Sequence, residues 1–359
     1  MLNIGHFQFT LVSTVFNESK RLKQTIADLN SQTLQPAEII ITDAGSTDGT
    51  FEILEEWKRS SLIPIHIILK PKCNVAEGRN LAIRAASYDL IASTDFGCRF
   101  HKDWLRSLIT PFRDPDVDVV GGSFTVIESD ISTKAAKAAY IMSNGYSIDV
   151  NAPWFIPSSR SIAYKREVFT AIGGYCEWLT LAADDLVFGK ELKAHGYRIQ
   201  IVDEPFVYWG RHQKGIGYIK EAQRYGLGDG EARVNSRNFL KNSIELILRY
   251  LFFTLFTTFL VLSIAGKLDL IYFLLLLPLA AGMRSYISYT SCWLRFRSKK
   301  YDFPTYVYGF YLLDATRFSY IKGYLTGYLY SSDLQKEEAK ALKKRLASPA
   351  ANIRSLEPA

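Results

Sequence analysis

Residues 37–54, AEIIITDAGSTDGTFEIL, place an apolar run, a polar turn and a segment with helical spacing one after another. The pattern predicts a strand that ends at Asp43, followed by a capped helix. In an open α/β sheet, ligands bind outside the carboxyl ends of the strands, so a carboxylate there faces the binding crevice. Asp43 is therefore a candidate ligand-binding residue, whereas Asp48 is better explained as the N-cap of the helix.

The same pattern of a strand followed by a helix occurs four times. The predicted strands are Phe9–Val15, Ala37–Thr42, Pro64–Leu69 and Asp89–Thr94. Such alternation predicts an α/β fold, with a mostly parallel sheet and helices on both faces. Segment 117–127 resembles a further strand, and a helix rich in Ser and Ala is expected at 132–143.

Composition separates the 359 residues into two unlike parts. The N-terminal part has the composition of a soluble domain. Its first strand follows a short N-terminus that lacks the basic region of a signal peptide, so we expect this part to be cytosolic. The net charge is +7, but no RNA- or DNA-binding motif accompanies it, so we expect no nucleic-acid partner. Five basic residues and no acidic residue lie in 284–300, beside apolar segments. This cluster indicates contact with anionic membrane lipids.

Four cysteines are scattered through the sequence, without a C-x-x-C pair and without His at zinc-finger spacing. They are Cys73, Cys98, Cys176 and Cys292. We therefore expect neither a structural zinc site nor a disulfide framework.

Two apolar runs, 243–265 and 268–283, are joined by Gly266 and Lys267. They predict a transmembrane helical hairpin within residues 236–285, the second helix being extended by its flanks. The basic segment that follows then lies on the cytoplasmic side by the positive-inside rule, in agreement with a cytosolic N-terminal domain. We expect a protein of the cell inner membrane with its residues 1–235 facing the cytoplasm.

Residues 286–331 are basic and aromatic and predict a membrane-interface region. Asp314, Arg317 and Lys322 recur at about one-turn spacing, which is costly in the middle of a bilayer. An interfacial helix or a re-entrant pair is therefore expected here instead of a third span. Residues 332–359 are expected to form a charged helix and then a flexible tail.

Polar and acidic residues follow the predicted strands and should meet at one edge of the sheet. The first strand ends in Thr14-Val15-Phe16-Asn17-Glu18, the second in Asp43 and the fourth in Thr94-Asp95. Phe16 is suited to stack on a base, Asp43 to accept from a ring N–H, and Asp95 to bind ribose hydroxyls or a divalent cation. Because a P-loop sequence is absent, metal, basic residues or helix ends must neutralise the phosphates. Mg²⁺ or Mn²⁺ fits that need, since one or two carboxylates and substrate phosphates suffice to hold it.

Five motifs in this order and spacing resemble the family 2 glycosyltransferases of GT-A fold. They are Thr14-x-Phe16-Asn17-Glu18, Asp43-x-Gly45-Ser46-Thr47-Asp48-Gly49-Thr50, Gly78-Arg79-Asn80, Thr94-Asp95, and Gly173-Gly174-Tyr175 with Ala183-Asp184-Asp185. The resemblance covers roughly residues 8 to 230. It implies a GT-A, Rossmann-like mixed sheet with a C-terminal membrane-associated helical region, a nucleotide-diphosphate sugar as donor, and transfer with inversion.

The resemblance also implies roles for individual residues. Asp43 and Arg79 would hold the base, and Asp95 the ribose or the metal–diphosphate end. Asp185 would be the general base on the acceptor hydroxyl, a role that suits a carboxylate within hydrogen-bond reach. Asp184 would orient it. Without the resemblance, this acidic pair reads as an N-cap with a companion charge on the helix dipole.

Trp178 follows the Gly-Gly-Tyr motif and is a candidate for stacking on an acceptor sugar, although an aromatic residue beside two glycines also serves packing. Arg211 and His212 are candidates for a diphosphate contact or an extra metal ligand. The family's Asp-x-Asp metal signature is incomplete here, because Asp95-Phe96-Gly97 lacks the second carboxylate. Related members carry a single Asp followed by Gly-Cys, as in Gly97-Cys98, so the metal dependence stays open.

The sequence thus predicts an inverting glycosyltransferase of cell-envelope polysaccharide synthesis. The expected partners are a UDP- or GDP-sugar donor, a lipid-linked or envelope glycan acceptor, and membrane lipids; the expected cofactor is Mg²⁺ or Mn²⁺. Two alternatives remain. One is a catalytically silent nucleotide-sugar-binding membrane scaffold, and the other is a polyprenyl-phosphate sugar synthase.

Overall fold

Strands and helices alternate through the first part of the chain, as the sequence predicts. The computed structural model describes residues 7–146, 149–150, 152, 155–267, 269, 294, 299 and 301–347. Its strands are β1 (Thr10–Val15), β2 (Glu38–Asp43), β3 (Ile65–Leu69), β4 (Leu90–Asp95), β5 (Arg99–Phe100), β6 (Val119–Val126), β7 (Ile162–Lys165) and β8 (Ile199–Trp209). Its α-helices are α1 (Ser19–Asn30), α2 (Thr50–Ser60), α3 (Val75–Arg84), α4 (Trp104–Ile109), α5 (Lys134–Met142), α6 (Arg166–Ile172), α7 (Asp184–Ala194), α8 (Gly215–Glu231), α9 (Ser236–Ile264), α10 (Phe303–Tyr330) and α11 (Asp333–Ala347).

Two compact units divide the chain. The sheet unit comprises the described parts of 1–128, 147–211 and 331–359, and the helical unit those of 129–146 and 212–330. This division differs from the predicted single domain at 1–235, since α5 and α8 belong to the helical unit. The reason is packing, because both helices lie against α10.

The sheet unit contains one mixed sheet with the strand order β3-β2-β1-β4-β7-β6-β8-β5. Strands β3, β2, β1 and β4 are parallel, and β7 runs antiparallel to both β4 and β6. The four predicted strands are present with their ends within one residue of the expected positions. The predicted parallel half is therefore confirmed, and the antiparallel insertion of β7 makes the sheet mixed.

Strand register brings the candidate residues to one edge. Thr14 lies opposite Asp95 on β4, while Val15 lies opposite Asp43 on β2. Because these strands are parallel neighbours, their carboxyl ends open on the same side of the sheet. The predicted convergence of Asp43 and Asp95 is confirmed at the level of the backbone.

Both faces of the sheet are buried by apolar side chains. Leu11 and Ile41 belong to the core on one face, while Val12 and Ile40 belong to the core on the other. The period of two along each strand explains this division. All six residues of β2 are buried, as expected for a central parallel strand covered by helices on both sides.

Helices α8 and α10 of the helical unit approach each other at their backbones. Gly226 and Gly230 on α8 meet the turns of α10 that carry Gly323 and Gly327. A Cβ atom built on Gly323 would lie 2.1 Å from the backbone oxygen of Gln223. Small residues four positions apart on both helices are therefore required for this close packing.

Replacing Gly323 by Ala should destabilise the helical unit by about 1–3 kcal/mol, because a rigid backbone cannot give way to the added methyl group. Gly309→Ala on the same helix is the matched control, since its Cβ would meet the flexible side chain of Met142. Both changes gain the same helix propensity. Thermal unfolding of the full chain in detergent should show the lower midpoint for Gly323→Ala. Equal midpoints would contradict the proposed backbone contact.

Two buried ion pairs join α9 to α10. Arg317 Nη2 lies 2.7 Å from Glu245 Oε2, and Arg249 pairs with Asp314. Glu245 and Arg249 are only 5% and 4% exposed. Helix α10 is one continuous helix of 28 residues, which excludes the re-entrant pair considered above. Asp314 and Arg317 thus have partners within the protein.

Helix α9 is long and apolar enough to cross a membrane by length and composition. Its most apolar window has a mean hydropathy of 1.9, and 6% of that window is buried in the structure. Among the described residues it is the one helix with these properties. The helix ends before Gly266, which has a φ of 66°. The second predicted span at 268–283 lies outside the described residues except for Asp269, as does most of 284–300.

Helix α11 confirms the charged helix expected after residue 332, and it packs within the sheet unit. Arg345 Nε lies 2.6 Å from Glu191 Oε1 on α7, and Glu191 is only 2% exposed. Leu342 is fully buried. A charged helix can dock in this way because one of its faces carries apolar residues. Residues 348–359 lie outside the described part of the chain.

Candidate active site

Asp43 ends β2 with its side chain fully buried. Its Oδ1 accepts hydrogen bonds from the backbone N–H groups of Gly45 at 2.8 Å and Ser46 at 2.7 Å. These bonds fix the turn after β2, in which Gly45 has a φ of 91°. Its Oδ2 has no hydrogen-bond partner among the described residues. A buried acceptor without a donor is rare in proteins and points to a ligand donor at this position.

Asp48 closes the start of α2 from the position before the N-cap, which is Gly49. Its Oδ1 accepts from the Thr50 backbone at 3.1 Å and from the Thr50 hydroxyl at 2.6 Å, and its Oδ2 accepts from Ser19 N–H. The hydrogen bond from Thr50 is the main cause that lowers the pKa of Asp48 to about 2. The N-cap position expected for Asp48 is therefore wrong by one residue, because Gly49 occupies it, but the contacts of Asp48 at the start of the helix are structural as expected.

Thr14 and Phe16 frame the same edge of the sheet. Thr14 is half-buried, and its Cγ2 would lie 3.0 Å from a Cβ built on Gly78. Glycine in the Gly-Arg-Asn motif therefore lets α3 lie close against β1. Phe16 is 57% exposed directly after β1. An exposed ring at the end of a strand is available to stack on a planar ligand.

Arg79 joins the end of β4 to the start of α7. Its Nη2 donates to Asp95 Oδ1 at 2.9 Å, and its Nη1 donates to Asp184. Arg79 is only 2% exposed, and its guanidinium lies 4.8 Å from the centre of the Tyr175 ring. The buried guanidinium is thus engaged by two carboxylates, whereas the sequence predicted contact with the base. We infer that Arg79 holds the acidic residues in place.

The pKa values of Arg79 and Asp184 depend on each other's charge and on that of Asp95. Burial raises the pKa of Asp184, and repulsion from Asp185 and Asp95 acts in the same direction, while Arg79 opposes it. Burial alone would lower the pKa of Arg79, but Asp184 and Asp95 outweigh it and the pKa is raised. The guanidinium therefore stays charged, and Asp184 is stabilised as an anion mainly by Arg79.

Asp185 lies in the first turn of α7 and is half-buried. Its Oδ1 accepts from Leu186 N–H at 2.8 Å, and its Oδ2 accepts from Ser158 Oγ at 3.0 Å. Arg160 Nη1 donates to the same Ser158 hydroxyl at 3.1 Å. The Asp185 carboxylate is therefore held in a fixed direction and keeps lone pairs for a further donor.

Arg160 presents a positive charge beside Asp95. Its Nε lies 3.8 Å from Asp95 Oδ2, and its guanidinium lies 4.2 Å from the centre of the Trp209 ring. Arg211 lies 3.8 Å from the centre of the same ring. Stacking on an indole orients a guanidinium without neutralising it. The Trp209 ring thus orients two guanidinium groups, of which Arg211 is buried and Arg160 is half-buried.

The Gly-Gly-Tyr motif is fixed against α3. Asn80 Nδ2 donates to Tyr175 O at 2.8 Å, and Asn80 Oδ1 accepts from Tyr175 N at 2.9 Å. The half-buried Trp178 follows, and its backbone oxygen accepts from Gln335 Nε2 of α11 at 3.0 Å. The predicted acceptor loop is therefore held by α3 on one side and by α11 on the other.

His212 belongs to the helical unit. Its Nε2 lies 3.9 Å from Glu221 Oε1, and its ring packs edge-on against Tyr218 with the centres 5.2 Å apart. These contacts give His212 a structural environment within that unit.

Two carboxylates near Gly97, those of Glu18 and Asp95, decide whether this site could hold a divalent cation. Among the described residues, no group of three or more His, Cys, Asp or Glu is placed to hold a metal ion by itself. Mg²⁺ and Mn²⁺ sites in phosphate chemistry need fewer protein ligands, since substrate oxygens complete them. Asp95 Oδ1 accepts from Arg79 Nη2 at 2.9 Å, whereas Arg160 Nε lies 3.8 Å from Oδ2, beyond hydrogen-bond distance.

Two family models match the chain. The model for glycosyl transferase family 2 matches residues 10–173, and the model for glycosyl transferase family group 2 matches residues 98–284, more than half of the chain. The chain belongs to the family 2 glycosyltransferases. It is therefore a glycosyltransferase, and the resemblance described for its motifs is confirmed at the level of the family.

Curated relatives of this glycosyltransferase include enzymes of polysaccharide synthesis. The O-antigen chain rhamnosyltransferase WbaN of Salmonella anatum is 27% identical over 228 residues, covering 60% of this chain and 70% of the relative. The chondroitin synthase of Pasteurella multocida is 24% identical over 256 residues, covering 62% of this chain. The matched part spans 26% of that longer synthase.

A solved structure supports the fold. The mannosyltransferase PcManGT from Pyrobaculum calidifontis, crystallised with GDP-Man and Mn²⁺, superimposes with a TM-score of 0.52 at 18% sequence identity. The superposition covers 91% of this glycosyltransferase and 89% of that chain. The GT-A fold expected from the motifs is confirmed.

The sequence did not reveal Ser158 and Arg160 as site residues of this glycosyltransferase. Both precede β7, and no spacing pattern connects them to Asp95 or Asp185. The antiparallel pairing of β7 with β4 brings them to the site, and Thr94 Oγ1 donates to Arg160 O at 2.8 Å. The only available signal was the polar run Ser158-Ser159-Arg160-Ser161 before the short apolar stretch Ile162-Ala163-Tyr164.

Proposed function

We propose that this glycosyltransferase is membrane-anchored and transfers a sugar, with inversion, from a UDP- or GDP-sugar to a lipid-linked or envelope glycan at the cytoplasmic membrane face. The observation that carries the proposal is the bridge from Asp95 through Arg79 to Asp184. This bridge fixes Asp185 relative to the end of β4. A donor site and a base for the acceptor are thereby joined in one unit.

The chemistry assigned to Asp185 is general base catalysis. As the acceptor oxygen forms its bond to the anomeric carbon, the bond from that carbon to the diphosphate breaks. The proton of the acceptor hydroxyl passes to Asp185, and the nucleoside diphosphate leaves with the bonding electrons. Ser158 and Leu186 hold the carboxylate in direction during this step. Trp178 is the candidate for contact with the acceptor sugar.

Neutralisation of the diphosphate falls to Asp95 with a divalent cation and to Arg160. When bound, the cation would offset the negative charge that grows on the leaving diphosphate. Asp95 would hold it, and Arg160 beside Asp95 would contact the phosphate oxygens directly. The Mn²⁺ in the mannosyltransferase PcManGT supports the choice of ion.

The acceptor class is argued from the relatives and from α9. The printed names of the relatives include synthesis of O-antigen chain and of chondroitin, both glycans. An apolar helix that follows the catalytic part supports placement at a membrane, where lipid-linked acceptors reside. Membrane lipids are the further partner that the proposal implies.

Asp43 is the residue through which the donor base can be tested. Its Oδ1 is committed to two backbone N–H groups, so only Oδ2 remains for a ring N–H of uracil or guanine. In Asp43→Asn the amide oxygen must stay on the backbone donors, which turns the NH₂ group toward the ring N–H. We expect affinity for the nucleotide sugar to fall about tenfold or more, as for an unsatisfied buried hydrogen bond.

The measurement is a thermal-shift screen of the full chain in detergent against UDP-, GDP- and dTDP-sugars, with and without Mn²⁺. One base class should raise the melting temperature of the wild type, and Asp43→Asn should need a higher ligand concentration for the same shift. Glu56→Gln, an exposed change on α2, is the control and should behave as the wild type. No shift with any nucleotide sugar would refute the proposed donor.

A further inference from the structure

Gly97 stands where the second carboxylate of an Asp-x-Asp pair would be, and another carboxylate occupies the adjacent space. A Cβ atom built on Gly97 would lie 2.8 Å from Glu18 Oε2, 3.1 Å from Glu18 Cδ and 3.4 Å from Glu18 Oε1. Gly97 also has a φ of 94°, which disfavours any side chain there. The Glu18 carboxylate therefore fills the volume that a side chain at position 97 would enter.

The fold brings Glu18 to this place across neighbouring strands. Glu18 follows β1 and Asp95 ends β4, and these strands are paired with Thr14 opposite Asp95. The Glu18 backbone N–H donates to Thr50 Oγ1 at 2.8 Å, which fixes the chain at this point. The position of the carboxylate thus follows from ordered backbone on both sides.

Helix capping does not explain the Glu18 side chain. Glu18 occupies the N-cap position of α1, yet its side chain makes no capping hydrogen bond. Ser, Thr, Asp and Asn are the residues that serve this position, because their short side chains reach the first turn. The longer side chain of Glu18 extends to Gly97 instead, which calls for another role.

Glu18 and Asp95 lie at the same edge of the sheet. The half-buried Glu18 side chain ends beside Gly97, which is two residues after Asp95 at the end of β4. Two carboxylates that phosphate oxygens complete are the protein part of a Mg²⁺ or Mn²⁺ site.

We propose that Glu18 replaces the missing second acid of the metal signature and, together with Asp95, holds the divalent cation on the donor diphosphate. The inference rests on the proposed nucleotide-sugar donor. The Asp-x-Asp signature would place both metal ligands after β4, whereas here one of the two ligands comes from the residues that follow β1. Glu18 in this role also gives a reason for the glycine at position 97, since a side chain there would collide with the ligand.

The test measures Mn²⁺ binding to the full chain in detergent by electron paramagnetic resonance of free Mn²⁺, alone and with UDP or GDP, without turnover. We expect Glu18→Gln to weaken Mn²⁺ binding by about tenfold or more, because one of two charged ligands is lost. Asp95→Asn should weaken it as well. Glu56→Gln is the matched control and should bind as the wild type, and Glu18→Asp should fall between the wild type and Glu18→Gln.

Thermal unfolding in EDTA checks the fold of each variant. If Glu18→Gln proves unfolded, Glu18→Asp decides, since wild-type affinity in that folded variant would contradict the need for the longer side chain. Unchanged Mn²⁺ affinity in folded Glu18→Gln overturns the inference. A wild type that transfers sugar in excess EDTA and binds no Mn²⁺ also overturns it, in favour of neutralisation by Arg160 alone.

Failure of the proposed function has a different signature. If no nucleotide binds to the wild type while Mn²⁺ binding still depends on Glu18 and Asp95, the carboxylate pair stands and the nucleotide-sugar donor is refuted. If nucleotides bind normally and only the dependence on Glu18 is missing, the donor stands and the inference falls.

Discussion

Asp185→Asn is expected to reduce sugar transfer by about 10² to 10⁴-fold, while the affinity for the nucleotide sugar stays within about twofold of the wild type. The amide has nearly the same shape as the carboxylate. Its oxygen can keep the hydrogen bond from Leu186 N–H, and its NH₂ group can donate to Ser158 Oγ in place of the bond that Asp185 accepts. It cannot take the proton of the acceptor hydroxyl at neutral pH. The loss should therefore appear in kcat and leave donor binding unchanged.

The measurement needs two readouts on the same preparation. Radiolabelled sugar transfer to membrane extract reports turnover, and a thermal shift with the nucleotide sugar reports binding. Ser158→Ala is an informative comparison, because it removes only the group that orients Asp185 and should cost much less activity than Asp185→Asn. Retained turnover in Asp185→Asn would remove this residue from the base role.

Arg79→Met is expected to have the largest effect on stability, a loss of about 3–5 kcal/mol in the free energy of unfolding. The change leaves the Asp184 side chain, 10% exposed, without its cationic partner. Most of the cost arises at Asp184, since the Asp95 side chain is 33% exposed and water compensates for part of its loss. Arg79→Lys should be intermediate, because the charge is kept but a single ammonium nitrogen lacks the planar fork whose two nitrogens reach the two carboxylates.

A double variant separates the charge from the packing. Arg79→Met combined with Asp184→Leu removes both members of the buried pair and should recover part of the lost stability, as an apolar pair carries no uncompensated charge. The measurement is the urea midpoint of the full chain in detergent. A single Arg79→Met variant as stable as the wild type would show that Asp184 finds another partner.

The strands and the positions of the acidic residues were accessible from the sequence because they depend on local periodicity. The run that ends at Asp43 and the run that ends at Asp95 each announce a buried strand with a polar end. Since parallel neighbours open on one edge, the meeting of their ends followed from the fold class. Chain order and spacing of five motifs then indicated the family.

The direction of the Arg79 side chain was not accessible. A Gly-Arg-Asn motif at a helix gives no sign that its guanidinium is buried between Asp95 and Asp184, which are 16 and 105 positions away along the chain. The same holds for α11, whose contact with Glu191 joins residues 154 positions apart. Such pairings depend on how helices pack on a finished sheet.

Local order along the chain thus fixes the β-α alternation, the strand ends at Asp43 and Asp95 and the acidic start of α7, because hydrophobic periodicity and turn residues act over a few positions. Tertiary packing decides which charges meet: Arg79 with Asp184, Ser158 with Asp185, and Glu18 with the space beside Gly97. The reason is that the cost of a buried charge or a filled volume is set by neighbours distant in the chain, and no short pattern encodes them.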